Sequence, residues 1–356
     1  MKNDFTPFDV GTVWNPIHVK KCRFKYRHVE LMYPSRLNAM ALDPSKIANN
    51  DNLRYSPGEI IFKIKLYKKV LVEIDEITEE IQIEKSSARQ SLIRHSAMIM
   101  KKAIGFKNGL KISVETQKDL RHVGLGSSSG LIASVACAIN ELYGNPISKK
   151  VLLKYLAQNH GEEINNNPGK LSPVQCIGGS AAAGLYSGSL LILAGQSNVI
   201  FNSSLPAILK VVMATPIDFN PIDAYALLQK EIDSFPNFIA CGEKYGREIA
   251  YRLVHEAIPG IKEKNLKPLG DLIFDYRFKM GSIENCSYCY PLLPKIARAI
   301  CPIRNYADIL SLSSVGPSFF AITKNPKECK EIFNKAGLKT FITEIDNKTY
   351  SILQKY

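Results

Sequence analysis

Residues 122–144, HVGLGSSSGLIASVACAINELYG, restrict the fold more than any other stretch of this chain. They follow GLKISVETQKDL (109–120), whose alternation predicts a strand. Behind them Leu131, Ile132, Val135, Ala136, Ile139 and Leu142 recur every three or four residues, which predicts a buried helix that stops at YGNP. A strand running through a glycine-serine turn into a helix aims the unpaired amides of the first helical turn at one point. The positive end of the helix dipole is added there, and such a point binds phosphate. Gly124 and Gly126 lack Cβ and permit close approach. The hydroxyls of Ser127, Ser128 and Ser129 can bond to phosphate or share a magnesium ion. The candidate phosphate-binding residues are therefore Gly124, Leu125, Gly126, Ser127, Ser128 and Ser129. The pattern is neither GxxxxGK[ST] nor GxGxxG, and a serine-capped core helix after a tight turn would read the same way.

The 356 residues can bury a large core, which predicts two lobes. Residues 1–27 read as an irregular arm, 28–205 as a first lobe and 206–356 as a second. HVELMYPSRLNAMALD (28–43) predicts a strand, a Pro-Ser turn and a second apolar stretch, and 48–58 a loop. EIIFKIKLYKKVLVEI (59–74) alternates as half-buried strands do. Helices are predicted over 87–106 and 148–164, the latter with Ser148 as N-cap. ILKVVMATP (208–216) is a strand that opens the second lobe. Helical patterns then run to about residue 300, and a strand, turn, strand, helix and strand fill 306–346.

The chain is 46% hydrophobic and 22% charged, as soluble globular proteins are. Its net charge of +13 suits nucleic acid, anionic lipid or phosphorylated small substrates. KKCRFKYRH (20–28) is a local basic cluster, but there is no basic tail and no aromatic-plus-basic signature, so nucleic acid is not expected as a partner. The eight cysteines are dispersed, as reduced thiols are, and CSYC (286–289) lacks a second pair to complete a zinc shell. MKNDFTPFDVGTVW has no apolar signal segment and the apolar runs are too short to span a bilayer, so a cytoplasmic protein without membrane contact is expected.

GLGSSSG resembles the PxxxGLGSSAA phosphate loop of the GHMP superfamily (galacto-, homoserine, mevalonate and phosphomevalonate kinases). YPSRLNAMALD (33–43) is similar to the superfamily's N-terminal motif and LSSVGPSFFAIT (312–323) to its C-terminal glycine motif, and the three occur in the expected order. The resemblance implies an α+β, two-lobed GHMP-kinase fold with a ribosomal-S5-like N-terminal lobe and a ferredoxin-like C-terminal lobe. In detail the motifs resemble those of β-ribofuranosylaminobenzene 5′-phosphate synthase, PSRxHxxLID, HxGLGSGTQ and SSxGPTxYA. Members of that branch join phosphoribosyl pyrophosphate to an aromatic carboxylic acid through a carbon–carbon bond, releasing pyrophosphate and carbon dioxide, and relatives make C-nucleosides. Asn38 stands where the branch has His, and SSSG replaces SGTQ.

Many GHMP kinases carry an Asp base after the loop, whereas PGKLSPVQCIGGSAAAG (168–184) holds no carboxylate and the nearest are Glu162 and Glu163. The implied function is thus C-ribosyl transfer, with an ATP-dependent small-molecule kinase and a non-catalytic binding protein as alternatives. Arg36, His122 and Glu162 are the catalytic candidates: a bidentate phosphate grip, a proton carrier and a magnesium-placing carboxylate. Ser35, Asn38, Ser313, Ser314 and Gly316 are the substrate-binding candidates, and Ser128 and Glu163 the ligands for the implied Mg2+. The expected partners are phosphoribosyl pyrophosphate or ATP and a small aromatic acid, with a homodimer left open.

Overall fold

The computed structural model describes residues 6–19, 22–47, 57–117 and 122–356. The loop read at 48–58 lies, but for its last two residues, outside the described residues. So do Lys20 and Lys21 of the basic cluster and the end of the stretch read as a strand over 109–120.

The elements run β1 (Phe8–Asp9), β2 (His28–Ala41), β3 (Glu59–Asp75), β4 (Ile81–Ile83), α1 (Gln90–Ile104), β5 (Gly109–Thr116), α2 (Ser127–Leu142), α3 (Lys149–Gln158), β6 (Glu162–Glu163), β7 (Lys170–Ser172), α4 (Gly179–Leu185), β8 (Leu190–Ala194) and β9 (Asn198–Ser203) in the first lobe. The second lobe adds β10 (Lys210–Pro216), α5 (Ala224–Arg252), α6 (Ile258–Lys262), α7 (Lys267–Phe278), α8 (Ser282–Asn285), α9 (Leu293–Ile300), β11 (Ile309–Leu312), β12 (Phe319–Thr323), α10 (Pro326–Lys335), β13 (Leu338–Glu344) and β14 (Ser351–Lys355). A π-helical turn over Leu253–Ala257 joins α5 to α6.

The alternation read in 59–74 forms one strand, β3, long enough to pair twice along one edge. Its first residues meet β8 and its last eight meet β5. On its other edge lies β2, and the sheet order is β14-β2-β3-β5-β4. The Pro-Ser turn expected at 34–35 is not a turn. β2 continues through it, and the register against β3 slips between Pro34 and Ser35 and again between Asn38 and Met40. A proline cannot donate to a ladder, so it sits where the pairing is already broken, and such irregularities re-aim neighbouring side chains. Ser35, Arg36 and Asn38 lie between the two slips.

The helix expected over 148–164 ends at Gln158, and 162–163 form strand β6. Asn159 stops it. Its amide donates to Tyr155 O (2.8 Å), and its carbonyl accepts from the backbone of Trp14 (2.7 Å) and Asn15 (3.1 Å), which docks the N-terminal arm. Ser148 stands at the N-cap of α3, but its side chain makes no capping bond.

Helix α2 is buried on almost every side rather than along a stripe, leaving only Ser127 and Ser129 partly open. It packs against α1, α4 and the faces of β2 and β3, the environment expected for a helix whose apolar residues run nearly all round. The second lobe is a βαββαβ arrangement of antiparallel strands in the order β11-β12-β10-β13, the ferredoxin-like order. β14 then leaves it and pairs with β2 of the first lobe. One apolar core spans both lobes: Leu37 and Met40 from β2 pack with Val211, Met213, Ile249 and Leu272. The two-lobed α+β architecture expected from the motifs is present. Among the described residues no helix is long and apolar enough to cross a membrane.

Candidate active site

The loop before α2 is held by its apolar residues. Val123 and Leu125 are buried in the core shared by the lobes, each burial contributing about 2 kcal/mol. Gly124 and Gly126 alternate with them. At Gly124 (φ 83°) a Cβ would be driven into the Ser313 carbonyl, and at Gly126 (φ 59°) into Ser180 Oγ and the Arg36 guanidinium. Both angles lie in the left-handed region that glycine adopts without strain. The loop is fastened to β2 and the second lobe, since Gly124 O accepts from Ser313 Oγ (2.7 Å) and from Arg36 Nη1 (3.2 Å). Ser314 N donates to Asn38 O (2.9 Å). No side chain caps α2. In α5, by contrast, Asp223 accepts from the Tyr225 and Ala226 amides. The first-turn donors of α2 are left for a ligand.

A cleft of about 210 Å³ opens over this turn. Arg36, Asn38, His122, Ser128 and Glu162 line it from the first lobe, and Glu231 of α5 with Ser314 and Gly316 from the second. Asn38 is oriented from both sides. Its amide donates to Glu59, which also accepts from Gly179 N (2.7 Å), and its carbonyl accepts from the buried Arg277 (3.5 Å). Burial pushes the Glu162 carboxyl up, but His160 and Arg89 outweigh it and hold the group at about 2. Its contact with Arg89 Nη2 is 3.1 Å. Such a carboxylate is a charge and a ligand, not a proton acceptor at neutral pH. Burial pushes the Glu231 carboxyl up, beside the Tyr288 hydroxyl.

On the other side of the loop a second cavity, of about 400 Å³, shares Leu125 and Ser127 with the cleft and is lined by Ser35, Tyr67, Lys68 and Arg89. Arg89 donates to Ser127 Oγ (3.2 Å) and to both Glu162 and Glu163. Lys68 is 6% exposed, and its ammonium donates to Ser35 Oγ (3.3 Å). Burial first, and then the charges of Arg89 and Arg36, pull its pKa down to about 8. Arg36 Nε is buried with no hydrogen-bond partner. Three cations therefore face the amino end of α2, and among the described residues only Arg89 of the three has a carboxylate against it.

The profile of the GHMP kinases N terminal domain matches residues 91–179. The chain is 23% identical over 269 residues to beta-ribofuranosylphenol 5'-phosphate synthase of Archaeoglobus fulgidus, a match covering 68% of this chain and 76% of that protein. In structure it is similar to galactokinase of Lactococcus lactis (TM-score 0.63, 11% identity, 92% of this chain and 95% of that one). It is also similar to mevalonate diphosphate decarboxylase of Staphylococcus aureus (TM-score 0.61, 13% identity, 92% and 98%) and to homoserine kinase of Cytophaga hutchinsonii (TM-score 0.59, 14% identity, 93% and 99%). The chain has the GHMP kinase fold.

Within this GHMP fold the three motifs meet around the loop. Arg36 and Asn38 come from the first, Gly124 to Ser129 from the second, and Ser314 and Gly316 from the third, all on the cleft. Ser313 is fully buried and acts on the loop through Gly124 O, while Ser35 opens into the other cavity. Glu162 and Glu163 both reach Arg89 (3.1 and 3.5 Å), but only Glu162 lines the cleft with Ser128, while Glu163 lines a small neighbouring pocket. Lys68, Arg89, Glu59, His160 and Glu231 were missed by sequence reasoning. Lys68 was hidden in a strand alternation and Glu231 in a long amphipathic helix, with no local motif around either. The CSYC pair is buried and unbonded, and among the described residues no three His, Cys, Asp or Glu gather as a metal site.

Proposed function

We propose that this chain is a phosphoribosyl C-transferase of GHMP fold. It would take phosphoribosyl pyrophosphate and an aromatic or heteroaromatic carboxylic acid and release pyrophosphate and carbon dioxide. The observation that carries this reading is the convergence of Arg36, Lys68 and Arg89 on an uncapped helix start, two of them without an acidic partner among the described residues. A buried cation without a counter-charge is costly, and a polyanionic ligand supplies that charge. The name of the Archaeoglobus relative supports a ribosyl phosphate product, and the fold itself serves either a transferase or a kinase.

In the reaction the bond from the ribosyl anomeric carbon to pyrophosphate breaks, and its electron pair leaves with the pyrophosphate. A bond forms to the ring carbon that bears the carboxylate. Loss of carbon dioxide from that carbon restores the aromatic ring, so no base has to remove a proton. That suits a cleft whose Glu162 is held at about 2 and whose 168–184 segment has no carboxylate. The amides of the α2 turn and the cations stabilise the charge on the leaving group. Ser128 and Glu162 suit magnesium, an ion held by one or two carboxylates together with substrate phosphates rather than by an all-protein cage. When bound it would supply further neutralisation of the pyrophosphate. Asn38, fixed by Glu59 and Arg277, is positioned to orient the acceptor.

Glu231 favours a second reading, an ATP-dependent kinase, because a raised carboxyl on the cleft could take a proton from an acceptor hydroxyl. Incubation with magnesium, phosphoribosyl pyrophosphate and 4-hydroxy- or 4-aminobenzoate, with pyrophosphate and carbon dioxide measured, separates the two. Acid-dependent release of both products is expected. Phosphoryl transfer from ATP to a small alcohol, without either product from the ribosyl donor, would overturn the first reading in favour of the second.

A further inference from the structure

We propose that the cavity on the β3 side of the phosphate loop is a second anion subsite, built around Lys68, that takes the phosphomonoester end of a sugar phosphate whose other phosphates lie on the loop. It rests on the loop reading above and adds to it the place of the sugar's second phosphate, on Lys68, where a nucleotide would instead put a neutral base in this cavity.

The cavity, about 400 Å³, has room for a ribose phosphate. Its carbon-facing surface is supplied by Leu66, Val114, Leu125 and Leu131, and its polar surface by Ser35, Lys68, Arg89 and Ser127. Among the described residues Lys68 ties down no backbone segment that would explain its burial. Lys63 on the same strand shows the contrast. It is fully buried, but its ammonium donates to two carbonyls, Tyr186 O (2.8 Å) and Lys348 O, and so ties down the segment that leads to β14. Among the described residues Lys68 donates to one hydroxyl, and the charges acting on it are the half-buried Arg36 of β2 and the buried Arg89 at the start of α1, both cations. Glu115 of β5 and Tyr67 of β3 stand elsewhere on the wall. A cation so placed lacks acceptors, which phosphate oxygens provide in number. An uncharged purine offers an ammonium at most a neutral ring nitrogen and no counter-charge. The loop residues Leu125 and Ser127 border both spaces, so one ligand can reach from the amides of α2 into the cavity.

The test is calorimetric titration of the full chain with ribose 5-phosphate and, separately, with pyrophosphate, for the wild type, Lys68→Met and Lys68→Arg. Losing a charge-assisted bond predicts that Lys68→Met weakens ribose 5-phosphate about 10-fold or more, while pyrophosphate changes by less than about fivefold. Lys68→Arg is expected to retain part of the affinity. Should Lys68→Met fail to fold, protection of Lys68 from reductive methylation in the wild type, read by mass spectrometry, replaces it. Ribose 5-phosphate is expected to protect and adenosine not to. Absence of ribose 5-phosphate binding, binding that ignores Lys68→Met, or protection by adenosine alone overturns the proposal. If the wild type fails to bind pyrophosphate, the loop reading itself falls, which is a separate result.

Discussion

Replacing Lys68 by Met should make the ligand-free protein more stable, not less. The side chain is almost fully buried, and burial together with Arg89 and Arg36 lowers its pKa from 10.5 to about 8. At neutral pH the folded chain therefore carries a charge it holds less readily than the unfolded chain does, at a cost of about 3 kcal/mol. Methionine has a similar length and no charge to desolvate. With an unfolding entropy of about 2.1 cal/mol/K per residue, the 356 residues give about 0.75 kcal/mol/K, so Lys68→Met should raise Tm by about 4 °C at pH 7. The sign with pH follows from the same values. Between about 8 and 10.5 the unfolded lysine keeps a proton that the folded one has lost, so wild-type stability climbs through that window, and below about 8 the penalty is complete. The variant lacks the climb, and the Tm difference should shrink towards zero by pH 10.5. The charges acting on Lys68 are Arg89 and Arg36, and Glu115 and Tyr67 line the same cavity. Burial and Asp346 push the Tyr67 phenol up, out of the window. Differential scanning fluorimetry at intervals from pH 7 to 10.5 reads both effects. An unchanged or lower Tm at pH 7, or a gain that persists at pH 10.5, would refute the reasoning.

Three further expectations concern the same region. Glu162→Gln should flatten the acid limb of the stability curve. The carboxylate's contribution is complete above 4.5 and lost as pH falls to about 2, so the variant should lose up to about 3 kcal/mol at pH 7 and far less near pH 2, by urea unfolding. Gly126→Ala puts a Cβ into Ser180 and Arg36 at a left-handed position. It should cost about 1 kcal/mol of stability and lower pyrophosphate affinity about 10-fold or more, measured by calorimetry. Glu231→Gln should remove a fall in wild-type stability that begins as pH rises past 4.5 and continues through the raised folded value. Parallel wild-type and variant curves would show that Glu231 is not the titrating group.

Much of the site was legible because its parts are local. Strand, glycine-serine turn and helix 109–142 could be read directly, since alternation, Cβ-free turns and helical spacing act over a few residues. The motifs carrying Arg36, Asn38, Ser314 and Gly316 were legible through their resemblance to GHMP motifs, and the structure brings all four to one cleft. Where local reading went astray, a distant contact was the cause. Pro34 sits in a slip between β2 and β3 and not in a turn, and α3 ends at Asn159 because that side chain holds the arm of residues 14–15. Glu163 reaches Arg89 as Glu162 does, yet it lines a small neighbouring pocket and not the cleft with Ser128.

The chain's own order of residues thus settles where a phosphate loop can form and which residue types stand beside it, because those choices depend on backbone freedom and short-range periodicity. Which charges face that loop was decided only in three dimensions. Lys68 arrives from a strand and Arg89 from the turn before α1, each brought to Ser35 or Ser127 by sheet pairing and by a helix buried nearly all round. Burial then turns an ordinary lysine into an unneutralised cation, a property that no window of sequence contains.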